Sequence, residues 1–132
     1  MITIISKGVR TKLTGDGTIS AAVGTRVYLE MAAENATLPY IVVTWVGGGS
    51  TNDTPRDAID VQVQVDAISD AGATALTLEA AIRAALHEQA LTLDTPWNWL
   101  DSEHLDPFYF VEPVDRRFYH HAGGTYRIRA TE

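Results

Sequence analysis

The densest group of side chains able to do chemistry is Asp101, Glu103, His104 and Asp106. Hard oxygen ligands of this kind can hold a divalent cation. A calcium loop, however, places donors at every second position around a central glycine, and that pattern is missing here. A solvated acidic segment is the favoured reading. Gly47, Gly48 and Gly49 ahead of Ser50 invite comparison with a phosphate cradle. Such a loop must lead into a helix N-terminus with a Lys and a Ser or Thr at fixed spacing. No Lys follows and the next element reads as a strand, so a hairpin tip is expected. His120 and His121 are adjacent on a strand, which sends their side chains to opposite faces and makes shared metal ligation unusual. His87 lies late in a helix, where an imidazolium suits the negative helix end. No G-x-S-x-G elbow occurs, and the absence of Cys removes thiolate nucleophiles, thiolate metal sites and disulfides together. The residues give no positive sign of an enzyme, a cofactor or a metal.

Two further groups suit contact rather than catalysis. Trp97 and Trp99 lie in a polar, proline-flanked segment. They are either a flap folded onto the core, which is favoured, or an exposed hot spot for a partner. Arg116, Arg117, Arg127 and Arg129 crowd the C-terminal end while acids predominate elsewhere. Opposite patches on one small domain suit head-to-tail self-association. An ordinary solvated hairpin face with cross-strand ion pairs fits the arginines equally well.

The elements that position these groups follow from periodicity. Ile2, Ile5, Val9 and Leu13 recur at helical spacing, which predicts an N-terminal helix despite the strand-favouring run Ile2-Thr3-Ile4-Ile5. Gly15 and Gly17 are expected to end it, and Thr18 to cap a short turn through residues 19–23. Residues 26–30 read as a short strand. Residues 38–46 are apolar on both faces, which predicts a central strand covered on both sides, with Pro39 at its start. Residues 47–57 read as a long loop. Over residues 58–68, Ile59, Val61, Val63 and Val65 alternate with polar residues, the mark of a strand with one buried face. A helix over residues 73–89 follows, with Leu78, Ala81, Ile82, Ala85 and Leu86 as its apolar stripe and Glu79 and Arg83 off it. Residues 91–107 read as an irregular excursion, and residues 108–111 as a strand interrupted by Pro113. The last hairpin is expected to turn at His121-Ala122-Gly123-Gly124 between arms 116–120 and 125–131. Strands joined by turns imply an α+β domain: a small, mainly antiparallel sheet with two main helices packed on one face.

Composition agrees with one domain over residues 1–132. The chain has 132 residues, 45% hydrophobic, with formal net charge -7. That length buries a sizeable core. The acidic balance disfavours a nucleic-acid binder working by bulk attraction. No apolar run approaches the length of a membrane span, and the first residues lack the basic region of a secretion signal. A soluble, intracellular or assembled protein is expected.

Three stretches carry a family likeness: ISAAVGTRVYLEMAAENATLPYIVV (residues 19–43), LEAAIRAAL (residues 78–86) and YHHAGGTYRIRA (residues 119–130). The most specific piece is Val23-Gly24-x-Arg26-Val27-Tyr28 followed by Leu38-Pro39-Tyr40. In order and length the chain resembles the tail-terminator proteins of long-tailed bacteriophages, also called tail-completion or tail-to-head joining proteins. It departs from the commoner pattern in the tryptophan-bearing segment 91–107. The resemblance implies a non-enzymatic virion protein of the tail–neck junction, assembled in the host cytoplasm. It implies a hexameric ring on the head-proximal end of the tail tube that ends polymerisation and joins tail to head. The implied partners are the major tail tube protein and a neck or head-completion protein, with DNA passing through unbound and no membrane contact. Loops 47–57 and 91–107 are expected to make the axial or inter-subunit contacts. The candidate interface residues are Asp53, Arg56, Asp57, Trp97, Trp99, Arg116 and Arg117, with Asp53 and Asp57 on the inner wall. Alternatives are a neck stopper or other head–tail connector, or a small metal-dependent enzyme or ligand-binding domain using Asp101–Asp106 with His120 or His121.

Overall fold

The computed structural model of the chain describes residues 2–50 and 58–132. Helix α1 (Ile2–Thr14) buries Ile5, Val9 and Leu13 completely, so the helical period prevails over the local strand preference. The Gly15 N–H closes its last turn on the Thr11 carbonyl. Helix α2 (Gly17–Val23) is capped by Asp16 and not by Thr18. The Asp16 carboxylate accepts from the N–H groups of Thr18 and Ile19, both at 3.0 Å, which leaves Gly17 to open a helix instead of ending one.

Strand β1 (Val27–Leu29), β2 (Tyr40–Ser50), β3 (Ala58–Ser69), helix α3 (Gly72–Leu86), β4 (Asn98–Val114) and β5 (Arg117–Thr131) complete the chain. They form a five-stranded sheet in the order β1-β2-β3-β5-β4. β1 runs parallel to β2 and every other pair is antiparallel. The fold is α+β, as the periodicities imply. The buried residues of α1, α2 and α3 join Ile41, Val43, Val61, Val63, Val65, Tyr126 and Ile128 in one core on the helix side of the sheet.

Five features differ from the sequence expectation. β2 is not covered on both sides: Ile41 and Val43 are fully buried, whereas Tyr40, Val42 and Thr44 on the open face are half-buried. It continues through Gly47–Gly49 after a bulge between Trp45 and Gly47, so the expected loop begins later. Gly48 belongs there because its φ is +93° and a Cβ would lie 2.1 Å from the Asp60 carbonyl oxygen. The excursion expected over residues 91–107 is largely β4. Its prolines 107 and 113 are tolerated because β4 is an edge strand with one side of its backbone unpaired. Finally, β5 runs unbroken through His121-Ala122-Gly123-Gly124. The chain instead reverses between Val114 and Arg117, where Asp115 takes φ 56°. Helix α3 is also shorter than expected, with His87 at its C-cap.

Candidate functional site

The alternation of β3 and β5 sends one set of side chains to the helices and the other to an uncovered face. On that open face Asp60, Gln62 and Gln64 of β3 lie beside Thr125, Arg127 and Arg129 of β5, with Asp101 and Glu103 of β4 beyond. Arg127 donates from Nε to both Asp60 oxygens at 2.9 and 3.1 Å. Arg129 makes the same fork to Asp101 at 3.0 and 3.1 Å. The guanidinium hydrogen bonds hold both carboxyls below the ordinary aspartate range, and the carboxylates in turn raise both arginines. Of the two readings of this arginine set, cross-strand pairing describes Arg127 and Arg129. The four arginines do not share one patch. Because β5 runs straight, Arg116 and Arg117 sit at the ribbon turn, about 40 Å of extended strand from Arg129.

Towards that turn the open face becomes aromatic. His121 is nine-tenths buried, with Nδ1 2.6 Å from Asp66 and Nε2 3.2 Å from Glu112. The Phe110 ring stacks on it at 4.3 Å. Burial pushes the Asp66 carboxyl above its ordinary value, and the His121 hydrogen bond offsets only part of that.

On the other side of the sheet the polar groups sit inside the core. Glu79 is buried and takes Arg83 as its ion-pair partner, so it lies on the buried side of α3 and not off it. His104 Nε2 is 4.0 Å from Glu79 and its ring meets Tyr126 edge-on at 5.2 Å. Desolvation, helped by Arg83, lowers the His104 pKa, which keeps the ring neutral at physiological pH. Burial raises the Tyr126 phenol. The constellation suggested for a metal enzyme is not assembled. Asp101 is tied to Arg129, His104 faces the core, His120 meets the Tyr109 hydroxyl at 2.6 Å, and His121 lies on the opposite face. Among the described residues no group of three or more His, Cys, Asp or Glu could hold a metal ion.

Trp97 is 9% exposed and belongs to the core. Trp99 packs against it and donates from Nε1 to Ser102 Oγ at 3.0 Å, which donates onward to the Gln89 carbonyl at 3.1 Å. That is the packing of a flap. Arg116 and Arg117 are exposed. Asp53, Arg56 and Asp57 lie outside the described residues. The sequence reading gave no partner to Asp60 and Asp66, and it placed Glu79 off the buried stripe. The first two were visible as polar members of an alternating strand, but their partners depend on the β3–β5 register.

The open sheet face thus carries paired charges, and further polar groups are folded into the core. The family described as "Tail completion protein gp17" matches residues 7–130, and the chain belongs to that family. It is a structural protein of the phage tail. No curated protein sequence matches it. Among solved structures it is similar to a chain of the "Virion of native gene transfer agent (GTA) particle". The likeness covers 99% of this chain and 97% of that one, with TM-score 0.75 at 19% identity, and so speaks to the fold.

Proposed function

We propose that copies of this chain close into a ring at the head-proximal end of the tail tube, end its polymerisation and join the tail to the head. A heterologous contact repeated around an axis closes when its rotation divides a full turn. Such a ring has two unlike faces. One matches the last tube layer and docks on it, and the other must fail to match it, or growth would continue. Its partners are then the tail tube protein and a neck or head-completion protein, its place is the tail–neck junction of the virion, and it makes no bonds.

The observation that carries this reading is the open face of β3, β5 and β4. With the sheets standing as staves around a channel, this face lines the path of the DNA. Its arginines are already held by Asp60 and Asp101, and its other groups there are amides, a hydroxyl and the Glu103 carboxylate. Phosphate binding needs free Lys or Arg. A wall whose cations are internally neutralised lets DNA pass without holding it.

The test is a phage lacking the gene. The expected particles are overlong tails and filled heads without tails, both restored when the protein is supplied. Normal tail lengths with unjoined heads would assign the chain to a neck stopper instead, and normal particles would remove the reading altogether.

A further inference from the structure

At its far end the β4–β5 ribbon overhangs the rest of the sheet. Ser69, opposite His120, is the last β3 residue paired to β5, whereas β4 continues beside β5 through Glu112, Pro113 and Val114. A two-stranded ribbon is marginally stable by itself, so the ties at its root decide how firmly it stands. On the open face that tie is polar. His121 of β5 reaches back to Asp66 of β3, with Nδ1 2.6 Å from Oδ2. It also reaches forward to Glu112 in the first overhanging row, with Nε2 3.2 Å from Oε1. His121 is 9% exposed and Asp66 8%, and the Phe110 ring lies flat against the imidazole.

The donors in this trio do not balance. A neutral imidazole has one N–H and one lone pair, and an ionised carboxylate only accepts. With the ring neutral and both carboxylates ionised, one contact sets lone pair against lone pair, which is costly for buried groups. Both contacts are hydrogen bonds only when the trio carries two protons. It is then an imidazolium between two carboxylates, or an Asp66 carboxyl donating to Nδ1 while Nε2–H donates to Glu112. Nothing nearby supplies the missing donor. Among the described residues no Lys or Arg pairs with Asp66 or Glu112, and Asp66 Oδ1 is buried without a partner. The other titratable groups around the trio are Tyr119 on β5, Tyr40 on β2 and Tyr28 on β1. Burial, and after it the Tyr119 and carboxylate charges, raises the Tyr40 phenol, which keeps its proton. Asp115, Arg116 and Arg117 at the turn are exposed and form no ion pair with the trio among the described residues.

We infer that His121, Asp66 and Glu112 form a proton-operated latch at the root of the β4–β5 ribbon. It is closed while the trio holds its second proton, and it loosens the overhang from β3 when that proton leaves. Burial raises the Asp66 carboxyl, which works in the same direction. A raised value gives stability that is complete below about pH 4, the ordinary aspartate range, and is lost as pH rises through the folded value. The latch therefore opens on the alkaline side. It belongs to the single chain and does not depend on the ring.

The test follows the backbone amides over residues 112–119 by hydrogen exchange from about pH 5 to about pH 9. Rates are corrected for the pH dependence of exchange itself, with residues 61–65 of β3 as the internal standard. In the wild type, protection is expected to fall about tenfold with rising pH, the worth of one charge-assisted hydrogen bond. The fall should come at the pH where the side-chain nitrogen and carbon NMR signals of the trio report the loss of a proton. A single amide replaces the missing donor from either side: Asp66→Asn donates to Nδ1, and Glu112→Gln donates to Nε2. Both variants are therefore expected to keep the closed protection over the whole range. The Glu112 side chain is half exposed, so Glu112→Gln keeps the fold and decides the question where Asp66→Asn fails to fold. Wild-type protection that does not change with pH, a fall without proton loss from the trio, or a fall that persists in Glu112→Gln would each overturn the latch.

Discussion

Replacing Gly123 by alanine tests whether β5 truly runs through the glycine pair. An added Cβ would lie 2.1 Å from the Val65 carbonyl oxygen, 2.9 Å from the Asp66 Cα and 2.8 Å from the Phe108 ring. Two of these three obstacles are β3 backbone, which cannot rotate aside. Ordinary non-bonded contact begins near 3.4 Å, so relief requires the strands to part by about 1 Å. A ladder hydrogen bond stretched that far passes the limit of about 3.5 Å and is lost. About two such bonds flank the site. Leaving a buried group unpaired costs about 1–3 kcal/mol per lost bond, which puts the loss at about 2–6 kcal/mol. That is a large part of the 5–15 kcal/mol or so that holds a domain together. Urea unfolding followed by tryptophan fluorescence, at low protein concentration, should show the midpoint falling by about 2 M at a slope of about 2 kcal/mol per M. Gly47→Ala is the control, since a Cβ there meets nothing within 4 Å; it should move stability by less than about 0.5 kcal/mol. A Gly123→Ala midpoint within about 0.3 M of wild type would refute the reasoning and return residues 121–124 to the turn that their glycines suggest.

Asp60→Asn with Asp101→Asn frees Arg127 and Arg129 on the open face, and the variant should gain DNA binding that weakens steeply with salt, measured by fluorescence anisotropy. Trp97→Ala empties a core position, so thermal or urea unfolding should show a loss of about 3–5 kcal/mol. Acid titration of stability should show two opposite contributions. Asp60 and Asp101 have lowered values, so their stabilisation is complete above about pH 4 and is lost as pH falls through their folded pKa values. Asp66 has a raised value, so its contribution is present below about pH 4 and is lost as pH rises through its folded pKa. The stability of Asp66→Asn relative to wild type should therefore rise with pH across that window in urea melts.

Much of the scaffold was legible because its signals are local. Ile5, Val9 and Leu13 announce α1, the valines of β3 alternate without a break, and Leu78, Ile82, Ala85 and Leu86 mark α3. The failures share a physical cause. A Gly-Gly pair serves a tight turn and a close approach of strands equally well, and only the pairing of Gly123 with Asp66 across the sheet decides between them. Prolines break a central strand but not the free side of an edge strand, so β4 was visible only once its place at the edge was known. The Arg127–Asp60 pair joins residues 67 apart in sequence. No window of the chain contains it, although each member was readable as polar and surface-facing. Trp97 lies in the core and Trp99 packs against it, since large apolar area between prolines is costly to leave in water.

An exposed strand edge must be limited, and here the limit is written into the backbone. A long flat edge would accept any strand and grow without end. β4 is not flat: its register shifts between Trp99 and Asp101 and again between His104 and Pro107, and Pro107 and Pro113 remove two N–H groups. β2 carries its own shift between Trp45 and Gly47, where the Trp45 N–H is already bound by Glu30 at 3.1 Å. Bulges bend a strand and raise its local twist, so two bulged edges fit only partners of matching curvature. Curvature repeated from copy to copy at a fixed angle is what separates a ring from a fibre. The irregularities that made β4 unreadable as a strand are, on this argument, what keeps its free edge from pairing with everything.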